Sequence, residues 1–413
     1  MPASVSSLIA ALAPIRASGV VAPDRAIAAI PVQVWHVLST VPDPRHARGI
    51  RHRLASVLAV ALAAVVAGAG SVEAIASWAA DLPRRYWTDL GIVRGVPSRS
   101  TLRRILTGVD ADVLDAVLAA WLATGAVAAG MDLKVIAADG KTCRGSRGAD
   151  TAAAHLFSIA AHYGGGIPLG QVNAGGEDHE IAAFPAVLDR LDLHGVIITA
   201  DALHTQRAHA HYLHRHGAHY VFIAKANQPT VCAQLTALPW AQVPIVDHVV
   251  GKGHGRREER TLQVIDLTGK AAPKVALPHV RQAFRVVRTR TMGSAASTEI
   301  VHGISSLPWS AITAAELARI IRGHWLIENA VHYVRDVSYR EDHSRIRTGN
   351  GPRVMATLRN IALGLLRIHH PGAPIAATLR HLGRTPDAVL TLLDSPSGHD
   401  ISPSERTLQP DQQ

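Results

Sequence analysis

The chain of 413 residues has little cysteine, with only Cys143 and Cys232. Two thiols cannot build a disulfide framework or a Cys-rich zinc site, and they fit a reducing cytosol. The first residues, MPASVSSLIAALAPIRASG, lack a charged start followed by a long apolar region, so no secretory signal is expected. No internal repeat is visible. Lysine is scarce: only a handful of the 42 basic residues are Lys. A further absence matters at VIAADGKTCRGS, residues 135–146. Its GKT resembles a phosphate loop, but that loop needs a glycine five residues before Gly140, and the position holds Val135. The lone carboxylate of Asp139 therefore needs another account.

What is present is apolar and basic. The length allows two or three domains, and apolar residues at 48% exclude a disordered chain. The 42 basic against 32 acidic side chains give a net charge of +10 and a sequence pI near 10.1. Arginine suits bidentate phosphate contact, so nucleic acid is a natural partner, with an anionic membrane as the rival. LASVLAVALAAVVAGAGS, residues 54–71, approaches the length of a membrane span. It is mostly Ala and Gly and runs on amphipathically into VEAIASWAADL, so a buried helix and no membrane partner are expected.

Periodicity divides the chain. Residues 1–30 read as a flexible lead-in and 31–128 as helical. Within the latter, VPSRSTLRRIL reads as a helix capped by Ser98 or Ser100 and displaying Arg99, Arg103 and Arg104. It is either a DNA-reading helix or a solvated surface. From 133 the period changes. LKVIAADG, HLFSIAAHYG and IPLGQVNAG read as three strands, 177–193 as a helix, VIITADA as a strand, HTQRAHAHYLHRHGA as a helix and HYVFIAKAN as a strand. The order β-β-β-α-β-α-β predicts a mixed sheet flanked by helices over 131–230. Residues 231–305 read as a β-rich insertion, 306–370 as the helical return and 371–413 as an extension disordered from about 395.

Three acids stand out by position. Asp139 ends the first predicted strand, Asp201 ends the fourth, and Glu328 lies in the long helical pattern of 313–340. Strands one and four can lie side by side, which puts both aspartates at one sheet edge. Carboxylates crowded together repel unless divalent cations bridge them. Mg²⁺ takes oxygen ligands and leaves room for phosphate and water. Two such ions about 3.5–4 Å apart activate a water and stabilise a leaving oxygen. Taken singly, each acid has a plainer role: Asp139 a turn, Asp201 a helix cap, Glu328 a surface ion pair. The six histidines of HTQRAHAHYLHRHGAH have no Cys or acid at zinc-ligand spacing, although His204 stands three after Asp201.

ADGKTCRGS, TADALHTQ, AKANQPT and RGHWLIENAVHYVRDVSYREDHSRIR together resemble the H-repeat-associated insertion-sequence transposases, a group of the DDE class. VPDPRHARGIRHRL, SVEAIASWA and VPSRSTLRRIL resemble that family's associated N-terminal domain, so the similarity spans about residues 35–370. The resemblance implies a ribonuclease-H-like α/β core with a β-rich insertion, preceded by an all-α DNA-binding domain. It implies Asp139, Asp201 and Glu328 as catalytic metal ligands, two Mg²⁺ ions with Mn²⁺ as a substitute, and double-stranded DNA as partner. Element ends and target would both be bound, by a homodimer in the cytoplasm at the bacterial nucleoid. Arg335 stands where the wider class carries a Lys, seven after Glu328. Ile321 and His324 replace its Tyr and Arg, with Arg322 nearby. Lys141, Arg144, His204, Lys225, Asn227, Gln228, Arg256 and Arg257 are further candidate DNA contacts, and Glu341 and Asp342 are rival third acids. The alternatives are a nuclease or domesticated transposase without strand joining, and a non-catalytic DNA-binding repressor.

Overall fold

A computed structural model describes residues 34–48, 50–176, 179–253 and 255–394. The expected flexible lead-in and disordered tail lie outside the described residues.

Helices come first: α1 (Val34–Leu38), α2 (Leu54–Val66), α3 (Val72–Ala80), α4 (Arg99–Gly108) and α5 (Ala111–Ala128). Ser98 caps α4 by accepting from the Thr101 amide. Leu102, Ile105 and Leu106 are buried on one side of α4, while Arg99, Arg103 and Arg104 are exposed on the other. Every residue of α2 is buried. The span-like stretch is thus the centre of a protein core. One described helix, α5, is long and apolar enough to cross a membrane, and two thirds of it is buried in the protein.

The sheet begins with β1 (Val135–Cys143), β2 (Ala154–Ala161) and β3 (Pro168–Asn173), an antiparallel meander. Helix α6 (Glu180–Leu188) crosses to β4 (Ile197–Ala200), and α7 (Arg207–Arg215) to β5 (His219–Ala224). β1, β4 and β5 are parallel neighbours. The strand order 3-2-1-4-5 is that of a ribonuclease-H-like sheet, as the periodicity and the resemblance imply.

The insertion differs from expectation in two ways. It opens with a helix, α8 (Pro229–Thr236), because Val231 and Leu235 fall one turn apart and both bury, and Pro229 starts the first turn. Its strands β6 (Ile245–Gly253), β7 (Arg256–Asp266), β8 (Gln282–Met292) and β9 (Ala295–Ser305) extend the same sheet. β9 pairs antiparallel with β5, giving nine strands in the order 3-2-1-4-5-9-8-7-6.

The chain then returns as α9 (Ala314–Gly323), a π-helical turn (Ile327–His332) and α10 (Tyr333–Val337). A capping box, Thr313 with Glu316, starts α9. Helix α11 (Gly351–His369) follows, then α12 (Ile375–Leu382) and α13 (Pro386–Asp394). Helix α11 packs on α2, α4, α5 and β3, so the helical N-terminal part and the sheet share one continuous core.

Candidate active site

The parallel pairing of β1 with β4 ends at Ala138 opposite Ala200. The next residues are Asp139 and Asp201, so both carboxylates leave the sheet at one level. Asp139 does not end its strand, contrary to the sequence reading. Pairing with β2 carries β1 on to Cys143, because Gly140 to Cys143 keep partners in Phe157 to Ala154. Asp201 does cap a short turn, its Oδ1 accepting from the Leu203 amide at 3.0 Å. That side chain remains exposed at the strand end. Glu328 is exposed on the π-helical turn, a geometry rare in helices and common at functional sites.

Electrostatics show that these acids meet. Burial, then Glu328, Asp201 and Glu180 in that order, push the Asp139 carboxyl up to about 8. The sequence reading missed Glu180. It stands over Gly140, where a Cβ would come within 2.2 Å of its Oε1. Burial pushes the Glu180 carboxyl up, but hydrogen bonds from His204 and His155 bring it below its ordinary value. The His155 Nε2 contact is 2.6 Å and the His204 Nε2 contact 3.5 Å. An acid opening the helix after the third strand, facing a glycine beside Asp139, was the available signal. Gly140→Ala should therefore destabilise the protein by about 1–3 kcal/mol, read as a lowered urea midpoint with unchanged slope.

Three imidazoles line the same region. His332 Nδ1 lies 3.5 Å from Asp139 Oδ2, and burial holds that ring neutral, well below its usual pKa. His324 is brought down to about 4, mainly by burial. Its Nδ1 and the Nε2 of His162 both meet the Thr199 hydroxyl, at 3.3 and 2.9 Å. His324 thus sits beside Asp201 as a neutral group and offers no charge to DNA.

Several expected DNA contacts are placed differently. Lys141 is buried and its Nζ bonds both oxygens of Asp336 at 2.7 Å. Arg335 is fully buried against Glu341, so the residue at the class's Lys position cannot reach phosphate. His204 is buried against Phe157 and Phe184. These three are corrections with one cause: each side chain finds its partner inside the fold. Asn227 donates to the Ala202 carbonyl at 2.6 Å and Gln228 to Gln206 at 3.3 Å, which shapes the loop after Asp201. Arg144, Lys225 and Arg322 are exposed. Arg256 and Arg257 are exposed at the tip of the β6–β7 hairpin, which forms the sheet edge opposite β3.

The rival acids separate cleanly. Glu341 is buried between Arg335 at 2.7 Å and Arg359 at 2.8 Å. Burial would raise its carboxyl, but the two guanidiniums bring it to about 2. Its charge is already compensated, unlike that of Asp139. Asp342 Oδ1 is buried without a hydrogen-bond partner.

Comparison with known proteins is decisive at this point. Residues 131–365 match the family described as the transposase DDE domain, and residues 35–122 match its associated domain. The chain belongs to the DDE transposase family. Among its relatives are a putative transposase YncI of Escherichia coli O157:H7 and the H repeat-associated putative transposase YhhI of E. coli K12. The first is 31% identical over 352 residues, 80% of this chain and 86% of the relative. The second is 28% identical over 348 residues, 80% and 89% of the two chains. A piggyBac transposase in a synaptic complex with hairpin DNA covers 90% of this chain and 78% of its own at 9% identity, with a TM-score of 0.40.

The acids that act on Asp139, namely Glu328, Asp201 and Glu180, offer oxygen donors, which suit a hard divalent cation. Among the described residues no three His, Cys, Asp or Glu side chains form a ready metal cage. A centre that completes its coordination with substrate phosphate and water needs none.

Proposed function

We propose that this DDE family member is a DNA transposase of an insertion sequence, which cuts element ends and joins their 3′ ends to target DNA. The observation that carries the reading is the half-buried Asp139 carboxyl, raised to about 8 by burial and by the neighbouring acids Glu328, Asp201 and Glu180. Asp139, Asp201 and Glu328 would hold two Mg²⁺ ions, with Mn²⁺ able to substitute. Bound there, the ions supply activation of a water and stabilisation of the departing 3′ oxygen. The chain's own part is to fix the acids. The β1–β4 register sets the two aspartates, and the π-helical turn presents Glu328.

Arg144, Lys225 and Arg322 are proposed to steer DNA phosphates at the rim, each adding a salt-dependent increment. Arg256 and Arg257 would extend that track on the insertion. The helical N-terminal part would recognise element ends through Arg99, Arg103 and Arg104, and two copies would act together on paired ends.

The acid cluster also fixes a pH dependence. Asp139 holds its proton to about pH 8 when folded, against an ordinary value of 3.8. The folded state then binds more protons between those values, so metal-free stability falls as pH rises through that window. Each unit of such a shift is worth about 1.4 kcal/mol. Thermal melting should therefore show a metal-free Tm that drops from pH 5 to pH 9, and Mg²⁺ should raise it most at the alkaline end.

The functional test pairs a labelled element-end duplex with a target plasmid. The proposal expects Mg²⁺-dependent nicks bearing a 3′ hydroxyl, then joined products. Nicks without joining would make the protein a nuclease, and binding without nicking a repressor.

A further inference from the structure

Glu328 is delivered to the site by a helix that enters the fold almost 190 residues after Asp139. Among the described residues its side chain has no hydrogen bond or ion pair, so the position of its helix sets its position. The apolar seat of that helix is smooth: Ile327 and Val331 rest on Ala137, Ala160 and Leu363. Apolar burial is non-directional, and the small Ala137 and Ala160 offer little relief to fix a register. Polar contacts can supply that definition.

Such contacts form a row. Residues 139, 141 and 143 of β1 share one face, since side chains alternate along a strand. Asp139 meets His332 at 3.5 Å. Lys141 meets Asp336 at 2.7 Å, through both carboxylate oxygens. Cys143 Sγ lies 3.5 Å from Arg335 and from Glu341. The helix partners 332, 335 and 336 stand within about one turn of each other, just past Glu328.

We propose that the Lys141–Asp336 pair is a positioning contact that sets the register of the Glu328 helix against β1, and with it the spacing of Glu328 from Asp139. The inference rests on the two-metal reading only for its functional consequence. A buried ion pair is weak evidence for stability, and fixing a register is its best-attested use. Lys141 lies within two residues of Asp139, yet its ammonium donates to both oxygens of Asp336 instead of facing outward.

The test uses the full-length protein with Asp336→Asn and Lys141→Met as single variants, and Lys141→Met with Asp336→Leu as an apolar pair. Hydrogen exchange is measured over 327–337 and over 314–323 without metal. Faster exchange is expected in the first segment only, for both single variants. Mn²⁺ affinity should fall about 10–100-fold, the usual scale for losing a residue that orients a ligand. The rate at saturating DNA should fall while KM for DNA stays put. The apolar pair should regain Tm but not Mn²⁺ affinity, which separates register from packing.

Wild-type exchange and affinity in both single variants would overturn the proposal. So would an apolar pair that recovers affinity together with Tm. Weaker DNA binding by Lys141→Met, with a shallower salt dependence, would return Lys141 to the phosphate-contact role. A wild-type protein that neither binds Mn²⁺ nor cuts DNA would sink the two-metal reading instead, and the exchange result would still decide the register.

Discussion

Asp139→Asn should abolish strand cleavage and, at the same time, raise the melting temperature of the metal-free protein. The two effects have one origin. Asp139 is half-buried beside Glu328, Asp201 and Glu180, and burial together with their repulsion pushes its carboxyl up to about 8. An amide has nearly the same shape and no charge to desolvate. The metal-free fold loses a repulsion, so its Tm rises most above pH 8, where the wild-type acid is ionised. On the proposed two-metal reading the same change removes a cation ligand, and cleavage should fall by about 10³-fold, the upper scale for one lost charge-stabilising group. Binding to the element-end duplex should survive. A structural aspartate would behave in the opposite way, with Asn lowering Tm and sparing the rate. Scanning calorimetry at two pH values and a nicking assay separate the cases.

Glu341→Ala should cost more stability than any change at the three site acids. Glu341 is buried between Arg335 and Arg359, both of them buried as well. Deleting the carboxylate leaves two guanidiniums facing each other without a counter-charge. Breaking a buried pair in this way costs about 3–5 kcal/mol, a large share of the stability of an ordinary domain. Glu341→Gln keeps the shape and should lose less. Neither effect should depend on Mg²⁺, since Glu341 is buried and its charge is taken up by Arg335 and Arg359. A urea titration with and without Mg²⁺ reads both statements. Equal stabilisation by Mg²⁺ in wild type and variant agrees with a structural acid, and selective loss of it in the variant would restore Glu341 as a ligand.

The parts of this molecule that a sequence reader can see are those written in short-range pattern. Three apolar runs bounded by turns, then alternating helices and strands, give β1 to β5 in order. Lone acids at Asp139 and Asp201, followed by Glu328 in a helical stretch, mark the candidate site without any coordinates. The extension of the sheet was not legible, because the alternation in FRVVRTRT and TEIVHGISSL shows strands but not that β9 pairs with β5. Helix α8 was hidden among Pro-rich turns.

Charge was the least informative signal. Lys141 looked like a phosphate contact because it follows Asp139, but its partner Asp336 is 195 residues further along the chain. Arg335 sat at the spacing of a DNA-contacting Lys, yet six residues later Glu341 draws it inward. His204 lay near Asp201 in the sequence and is enclosed by Phe157 and Phe184 in space. Spacing along a chain tells which residues are near in sequence, whereas burial decides which cations remain free for DNA. The π-helical turn under Glu328 had no sequence signature at all, and with it His332 went unseen.

The most direct test of the central claim compares Glu328→Gln with Glu341→Gln on one substrate. A labelled duplex carrying the element end is incubated with each protein and Mg²⁺, after folding has been verified by circular dichroism. If Asp139, Asp201 and Glu328 form the cation site, wild type and any folded Glu341→Gln nick the duplex, while Glu328→Gln binds it and leaves it whole. Nicking by Glu328→Gln at the wild-type rate would contradict the account, because the third acid of the site would then lie elsewhere.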